Sequence, residues 1–290
     1  MNSSGIHKEK IIKNYISITS NTIIEGDSLV ALQRLPDSMF QCVVTSPPYW
    51  GMRDYGVDGQ IGLENQLQQY INSLVMIFRE VRRVIKDDGV LWINIGDGYT
   101  SGNRGYRASD KKNPARAMSV RPDTPDGLKS KDLLGIPWRL AFALQADGWY
   151  LRSDIVWNKP NAMPESVKDR PTRSHEYIFM LTKSEKYYYN NLIVKENGRN
   201  RRSVWSVNTI PFPQAHFATF PTKLIEPCIL SSSKDDEYVL DPFWGSGTVG
   251  EVAQKYNRRF VGIELNPEYI AISFERLGIL PSHIIKLEGA

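Results

Sequence analysis

The hydrophobic pattern of the chain alternates between short apolar runs and longer stretches with helical spacing. Short runs typical of buried strands occupy residues 22–25, 41–45, 90–95, 151–157, 175–182, 238–241 and 260–264. Helices are predicted over residues 67–84, 136–146, 249–255 and 267–277, the first of these showing the clearest helical spacing of apolar positions. Because strands and helices alternate along the chain, the pattern predicts an α/β fold with a doubly wound sheet.

The loop at residues 45–50, with the sequence Thr-Ser-Pro-Pro-Tyr-Trp, directly follows one predicted strand. Open α/β sheets bind ligands at the carboxyl ends of their strands. Proline fixes the backbone and removes an N–H donor, so this loop is stiff and rich in acceptors. It could accept hydrogen bonds from an amino group while its aromatic residues stack on a planar ring. A rigid turn that caps the core is the alternative interpretation.

A second loop, Asp241-Pro-Phe-Trp-Gly-Ser-Gly-Thr248, lies between a predicted strand and a predicted helix. Its glycines allow a ligand to approach backbone N–H groups closely, and the helix amino terminus favours an anion. The next predicted strand ends at Glu264, about 20 residues after Asp241, where nucleoside-binding sheets place a carboxylate for ribose hydroxyls. The series of strand, glycine turn, helix, strand and acid therefore predicts a nucleoside site.

Taken together, the two loops make the chain resemble the amino-group-specific, S-adenosylmethionine-dependent DNA methyltransferases, and the resemblance covers about residues 20–275. The match is closest to their permuted beta group, in which the catalytic loop precedes the cofactor loop and the sheet is Rossmann-like. Ser46-Pro-Pro-Tyr49 resembles the catalytic motif of this family, and the 241–248 loop resembles its cofactor motif. Serine in first place is typical of cytosine-N4 enzymes, whereas adenine-N6 enzymes more often carry aspartate. Further matches lie at 26–29, 135–139, 157–161, 163–166 and 216–224.

The resemblance implies direct methyl transfer from S-adenosyl-L-methionine to the N4 amine of a cytosine flipped out of double-stranded DNA, without a covalent intermediate. Ser46 and the Pro47 carbonyl would accept from the amine, and Tyr49 would stack on the base, giving the catalytic set Ser46, Pro47, Pro48 and Tyr49. The cofactor residues implied are Asp27, Phe220, Pro221, Lys223, Asp241, Phe243, Gly245, Gly247, Thr248 and Glu264. A helix cap is the alternative role for Asp27. Trp244 departs from the family pattern and is expected to narrow the methionine end of the site.

The net charge of +4 is unevenly distributed, because residues 100–131 contain eight basic and three acidic side chains. Such a stretch attracts phosphates, although a solvated charge run is the alternative. The predicted DNA contacts are Trp50, Arg53, Arg104, Arg107, Lys111, Lys112, Arg116, Arg199, Arg201 and Arg202. For Trp50, packing in the core is an equally good interpretation.

The simplest domain organisation is a flexible tail at 1–15 and one catalytic domain at 16–290. This domain would carry a basic insert at 98–134 and a short target-recognition segment at 185–210. Two cysteines, no apolar run of membrane-spanning length and no signal-peptide core favour a reduced, cytoplasmic protein. We expect a monomer or homodimer, possible pairing with a separately acting restriction endonuclease, and no membrane partner.

Two alternatives to cytosine-N4 transfer stay open at this stage: an adenine-N6 methyltransferase on the same scaffold and a nucleic-acid-binding module without turnover. Ring-carbon methylation is disfavoured because it needs a thiol nucleophile in a Pro-Cys motif. Cys42 lacks that context, and Cys228 follows Pro227 in an apparently helical stretch without the accompanying acidic motif. Metal catalysis is unsupported because the four histidines lack ligand spacing. His175 and His216 are expected to be structural.

Overall fold

A computed structural model describes residues 15–101, 122–210, 220–279 and 283–287. Its strands are β1 (Thr22–Glu25), β2 (Phe40–Thr45), β3 (Ile85–Ile95), β4 (Tyr150–Asn158), β5 (His175–Thr182), β6 (Val204–Ser206), β7 (Tyr238–Asp241), β8 (Arg259–Glu264) and β9 (Ile284–Lys286). Its helices are α1 (Ser28–Gln33), α2 (Leu67–Val84), α3 (Ile136–Ala146), α4 (Thr222–Ser232), α5 (Thr248–Lys255) and α6 (Pro267–Leu277). The described strands form one sheet in the order β6-β4-β5-β3-β2-β7-β8-β1-β9.

The sheet is parallel except for β5, which runs antiparallel to both β3 and β4. β2 and β7 are neighbours in the sheet, with Val43 opposite Leu240, although almost 200 residues separate them in the chain. The 45–50 and 241–248 loops therefore leave adjacent strands at the same edge. Since β5 begins where its neighbours end, His175 and Glu176 lie at this edge too.

Alternating side chains of the buried strands supply two separate cores. Val43, Leu91 and Ile93 point to the face covered by α1, α2 and α3, whereas Cys42 and Trp92 point to the face covered by α4, α5 and α6. Both faces of the central strands are thus buried, which explains why these strands read as continuous apolar runs. The predicted doubly wound α/β sheet is confirmed.

The predicted elements agree closely with the observed ones, and three helices, α2, α3 and α6, begin and end at the predicted residues. Helices α1 and α4 had no predicted range, and the other differences lie in the sheet. β3 begins five residues early, because the polar Lys86, Asp87 and Asp88 and a glycine precede its apolar run. The edge strands β6 and β9 were not predicted, since three residues are too few to show a period of two.

The described ends of the predicted basic insert are held together by backbone hydrogen bonds. Thr100 donates to the Asp132 carbonyl at 2.9 Å, and Leu134 donates to the Gly98 carbonyl at the same distance. The division of the chain into tail, catalytic domain, insert and recognition segment stays a prediction. No helix within the described ranges is long and apolar enough to cross a membrane.

Some of the predictions fall on residues that the structure does not describe. They concern most of the predicted tail, one of the two histidines that were expected to be structural, and five of the predicted DNA contacts. The individual residues outside the described ranges are His216, Arg104, Arg107, Lys111, Lys112 and Arg116.

Candidate active site

A cavity of about 430 Å³ lies at the carboxyl ends of β2, β7 and β8. Eleven of the predicted catalytic and cofactor residues line it: Asp27, Ser46, Pro47, Pro48, Tyr49, Phe220, Asp241, Phe243, Gly245, Thr248 and Glu264. The two loops singled out by sequence therefore face one space. Because the loop predicted to be catalytic and the loop predicted to bind the cofactor line the same space, this shared cavity is the candidate active site.

Asp241, the last residue of β7, forms the floor of one half of the cavity. Its carboxylate is 2% exposed and accepts hydrogen bonds from the Thr45 hydroxyl at 2.7 Å and the Phe243 amide at 3.0 Å. Burial, with a smaller contribution from the neighbouring Glu264 charge, raises the pKa of Asp241 to about 7, against the two hydrogen bonds that lower it. This carboxyl group can therefore change its charge near neutral pH.

The glycine turn after β7 leaves open space beside its backbone. Gly245 has φ of 53°, and a Cβ built there would have no heavy atom within 4 Å. Its amide donates to Glu264 Oε2 at 2.7 Å, while the Asn266 amide donates to Oε1 at 2.8 Å. Burial raises the pKa of Glu264, and these backbone hydrogen bonds oppose the rise. Two carboxylates and an unobstructed glycine turn thus line this half of the cavity.

The 45–50 loop forms the opposite half. Tyr70 of α2 donates its hydroxyl to the Pro48 carbonyl at 2.8 Å, which holds the proline pair in place. Tyr49 packs its ring against Gly96, where a Cβ would lie 2.7 Å from ring atom Cε2. The Ser46 hydroxyl donates to the Tyr49 hydroxyl at 3.4 Å. The loop therefore presents a fixed aromatic ring and a serine oxygen to the cavity.

A third wall of polar residues was missed by the sequence reasoning. Glu176 at the start of β5 accepts from the Tyr49 hydroxyl at 2.8 Å and from Asn94 Nδ2 at 3.1 Å, and it forms an ion pair with Lys159. Asp97, Arg173 and His175 also line the cavity. Burial lowers the pKa of His175, and Arg173 adds to this effect. A polar pair, His-Glu, at the start of a predicted strand was the available signal.

Side-chain contacts bear on two alternatives that the sequence left open. Asp27 does cap α1, since its carboxylate accepts from the Val30 amide at 2.9 Å, yet it also lines the cavity. Trp50 is 7% exposed, belongs to the core and donates its indole N–H to the Glu64 carbonyl at 2.8 Å. The structure therefore favours core packing for Trp50 over a DNA contact.

The indole of Trp244 is also in the core, where it stacks on Phe260 with ring centroids 5.2 Å apart. The indole fits there because two neighbouring residues are glycines. A Cβ at Gly262 would lie 2.2 Å from the Trp244 ring, and a Cβ at Gly250 would lie 2.3 Å from it. Although Trp244 is only 2% exposed, it is also among the residues that line the cavity. The expectation that it narrows the methionine end stays a prediction.

The remaining predicted cofactor residues, Gly247, Pro221 and Lys223, are not among the residues that line the cavity. Gly247 caps α5 with φ of 79°, Pro221 caps α4, and Lys223 is exposed on the first turn of that helix. Among the predicted DNA contacts, Arg53 lines the cavity, Arg199 and Arg202 are exposed, and Arg201 is partly buried. The Arg201 guanidinium lies 4.3 Å from the Trp205 ring centroid and 3.3 Å from Glu196.

The two cysteines do not take part in this site. Both are fully buried and free, and burial raises the pKa of each thiol. A thiol with a raised pKa is a poor nucleophile, which agrees with the argument against ring-carbon methylation. Within the described part of the chain, no group of three or more His, Cys, Asp or Glu side chains could hold a metal ion.

Comparison with protein families gives a match over residues 40–275 to the family described as N6_N4_Mtase, DNA methylase. The chain belongs to the N6/N4 DNA methylase family. The methylase is also similar to a curated protein, the Type II methyltransferase M.Cfr9I of Citrobacter freundii. The two are 65% identical over 294 residues, which cover 99% of this chain and 98% of M.Cfr9I. The resemblance inferred from the sequence is confirmed.

Solved structures share the fold of the methylase. The PvuII DNA methyltransferase (cytosine-N4-specific) matches with a TM-score of 0.70 and 22% identity, covering 90% of this chain and 87% of the other. TTHA0409 of Thermus thermophilus, solved in complex with S-adenosyl-L-methionine, matches with a TM-score of 0.64 and 24% identity, covering 93% of this chain and 99% of the other. Both likenesses agree with the Rossmann-like methyltransferase sheet.

Proposed function

We propose that this DNA methylase transfers a methyl group from S-adenosyl-L-methionine to the N4 amine of a cytosine in double-stranded DNA. The observation that carries the proposal is the meeting, in one cavity, of Ser46-Pro-Pro-Tyr49 with the glycine turn and Glu264. Near-complete coverage of M.Cfr9I at 65% identity supports a Type II modification enzyme. Its partner would then be a restriction endonuclease that acts separately on the same site.

The residues present fit a cationic nucleoside donor. The described hydrogen bonds to Asp241 and Glu264 come from neutral donors, so neither carboxylate is neutralised by them. A cationic ligand beside these carboxylates would offset the cost of burying them. Gly245 leaves its backbone accessible, and Glu264 is the candidate partner for ribose hydroxyls. When bound, S-adenosyl-L-methionine supplies an electrophilic methyl group on a sulfonium.

The other half of the cavity fits a planar amine acceptor. The exocyclic amine of cytosine is a poor nucleophile because its lone pair is delocalised into the ring. Ser46 Oγ and the Pro47 carbonyl are the candidate acceptors for its N–H groups, which would turn the lone pair towards the methyl group. Tyr49 is the candidate stacking partner of the extruded base. Positioning of this kind supplies catalysis without a covalent intermediate.

Adenine-N6 transfer is the second candidate, because the family includes both activities and the same acceptors could serve either amine. Serine rather than aspartate at position 46 favours cytosine. A binding module without turnover is disfavoured, since the acceptor loop, the glycine turn and both carboxylates are intact around one cavity.

Nucleoside analysis tests the proposal directly. The protein is incubated with methyl-labelled S-adenosyl-L-methionine and double-stranded DNA, and the DNA is then digested to nucleosides and separated. We expect label in N4-methyldeoxycytidine. Label in N6-methyldeoxyadenosine would establish the adenine alternative, and DNA without label, despite cofactor binding, would favour the binding module.

The Ser46→Ala variant tests the role of the serine. The variant loses a hydrogen-bond acceptor that stabilises the transition state, so kcat should fall by about 100-fold. The cofactor Kd should stay within about twofold of the parent value. Ser17→Ala is the matched control, because Ser17 is exposed and does not line the cavity. An equal loss of cofactor binding and turnover in Ser46→Ala would contradict the assigned role.

A further inference from the structure

A chain of hydrogen bonds connects Ser46 to Glu176, a residue from a distant strand of the sheet. The Ser46 hydroxyl donates to the Tyr49 hydroxyl at 3.4 Å, and the Tyr49 hydroxyl donates to Glu176 Oε2 at 2.8 Å. All three residues line the cavity, and Glu176 is 127 positions away from Tyr49 in the sequence. The first of these hydrogen bonds is long, as catalytic hydrogen bonds often are before a substrate tightens them.

The Glu176 carboxylate is itself held from more than one direction. Asn94 Nδ2 donates to Oε2 at 3.1 Å and also to the Tyr177 carbonyl at 3.2 Å. Lys159 forms an ion pair with Oε1, and its Nζ lies 4.1 Å from the Trp157 ring centroid. The side chains of Lys159 and Glu176 are 17% and 16% exposed. The carboxylate is therefore fixed in position and matched by one cation.

The chemistry of these groups sets the direction of the hydrogen bonds. An ionised carboxylate can only accept, so the hydroxyl hydrogen of Tyr49 is committed to Glu176. The Tyr49 oxygen is then left as an acceptor for the hydrogen of Ser46. With its single hydrogen used in this way, Ser46 Oγ presents only lone pairs to the rest of the cavity. An amine N–H would meet an acceptor there and not a competing donor.

We infer that Glu176 is a positioning residue, which acts through Tyr49 to keep Ser46 oriented as a hydrogen-bond acceptor for the substrate amine. This inference rests on the proposed amine methylation. A glutamine at this position would remove the constraint, because its amide can donate to the Tyr49 oxygen and reverse the chain. Ser46 could then direct its hydrogen at the amine, and the lone pair needed for transfer would be drawn away from the methyl group.

A double-mutant cycle tests the inference. Glu176→Gln and Tyr49→Phe each interrupt the chain at a different link, and Tyr49→Phe keeps the aromatic ring. Each should lower kcat by about 10- to 100-fold, the range for loss of a hydrogen bond to a charged group. The cofactor Kd should change by less than about twofold. Because both act on Ser46, the double variant should be no slower than the slower single variant.

Glu237→Gln is the matched control. Glu237 is also a partly buried carboxylate paired with a lysine, Lys86 at 2.9 Å, but it does not line the cavity. Its replacement should leave kcat unchanged while showing what loss of such an ion pair does to the melting temperature. Rates are measured as labelled methyl transferred to DNA, with cofactor Kd and melting temperature recorded for every variant.

The outcomes separate this inference from the proposed function. If the parent protein places no methyl group on an exocyclic amine, the proposed function fails, whatever the variants do. If the parent is active but the two losses multiply in the double variant, Glu176 does not act through Tyr49 and the inference is overturned. Full activity of Glu176→Gln would overturn it as well. Should Glu176→Gln fail to fold, a fully active Tyr49→Phe would still refute the chain.

Discussion

The Asp241 carboxyl group gives the cofactor half of the site a predicted dependence on pH. Its pKa of about 7 arises mainly from burial, and the hydrogen bonds from Thr45 and the Phe243 amide only partly oppose this effect. Near neutral pH, the free protein is therefore divided between a neutral and a charged Asp241. A cationic cofactor should bind the charged form better, so we expect its affinity to increase as the pH rises.

The magnitude follows from the ionised fraction. With a pKa of about 7, that fraction rises from about one-tenth at about pH 6 to about nine-tenths at about pH 8. If only the ionised form binds well, the apparent affinity should rise about tenfold over this interval, which corresponds to about 1.4 kcal/mol. Binding at the lower pH should release about one proton, whereas binding at the higher pH should release few.

Isothermal titration calorimetry with S-adenosyl-L-methionine, in buffers with different ionisation heats, measures both affinity and proton release. The amino group of the cofactor also titrates near this range, so Asp241→Asn serves as the reference protein. Thr45→Val sharpens the test, because loss of its hydrogen bond should move the pH midpoint upward. Identical pH profiles for the parent and Asp241→Asn would refute the reasoning.

The same raised pKa predicts how the free protein responds to pH. A carboxyl group whose pKa is higher when folded than when unfolded stabilises the fold at low pH. That contribution of Asp241 is fully present below the ordinary carboxyl pKa of 3.8 and is lost as the pH rises towards about 7. Asp241→Asn should therefore stabilise the cofactor-free protein at about pH 8 relative to the parent. Urea denaturation at two pH values measures this difference, and a destabilised variant at the higher pH would contradict it.

Three further predictions concern packing, a buried cation and DNA. Gly262→Ala should lower the free energy of unfolding by about 2 kcal/mol or more, since its Cβ would meet the Trp244 ring at 2.2 Å. Trp244→Phe should recover part of that loss in urea denaturation, and unchanged stability of the single variant would contradict the argument. Arg258→Met should cost about 3 kcal/mol by the same assay, because its buried guanidinium binds the 233–235 turn. Arg259→Met is its exposed control, and a loss in the control as large as that of Arg258→Met would count against the role of burial. Arg199→Gln should reduce by about one the slope of log affinity for DNA against log salt, and an unaltered slope would exclude a phosphate contact.

The sequence predicted those parts of the site that lie close together in the chain. Strand ends, glycine turns and the proline pair are local signals, so the loops carrying Ser46 and Asp241 could be singled out, and both line one cavity. Helix α2 was predicted to the residue, because 18 positions show the helical period clearly. The neighbouring positions of β2 and β7 were not predicted, because almost 200 residues separate the two strands in the chain.

What the sequence could not supply were contacts between distant segments. Glu176 looks like an ordinary charged residue at the start of a strand, and its role depends on Tyr49, 127 residues away. Trp244 stands out as a departure from the family pattern, but its explanation lies in Gly250 and Gly262, which leave space for the indole. Trp50 was ambiguous for the same reason, since its burial depends on packing that no local pattern reveals.

The distribution of charge in the cavity argues for two different ligands, one in each half. On the cofactor side, Asp241 and Glu264 receive their described hydrogen bonds from neutral groups, which leaves negative charge for a cationic donor. On the opposite side, the Glu176 charge is matched by Lys159, so that wall suits a neutral base. In the proposed reaction, transfer of the methyl group from the cationic donor to a neutral amine would move positive charge from the first half towards the second. With Ser46 as the proposed acceptor for that amine, the second half would stabilise the charge as it develops, and this is where transition-state binding would exceed ground-state binding.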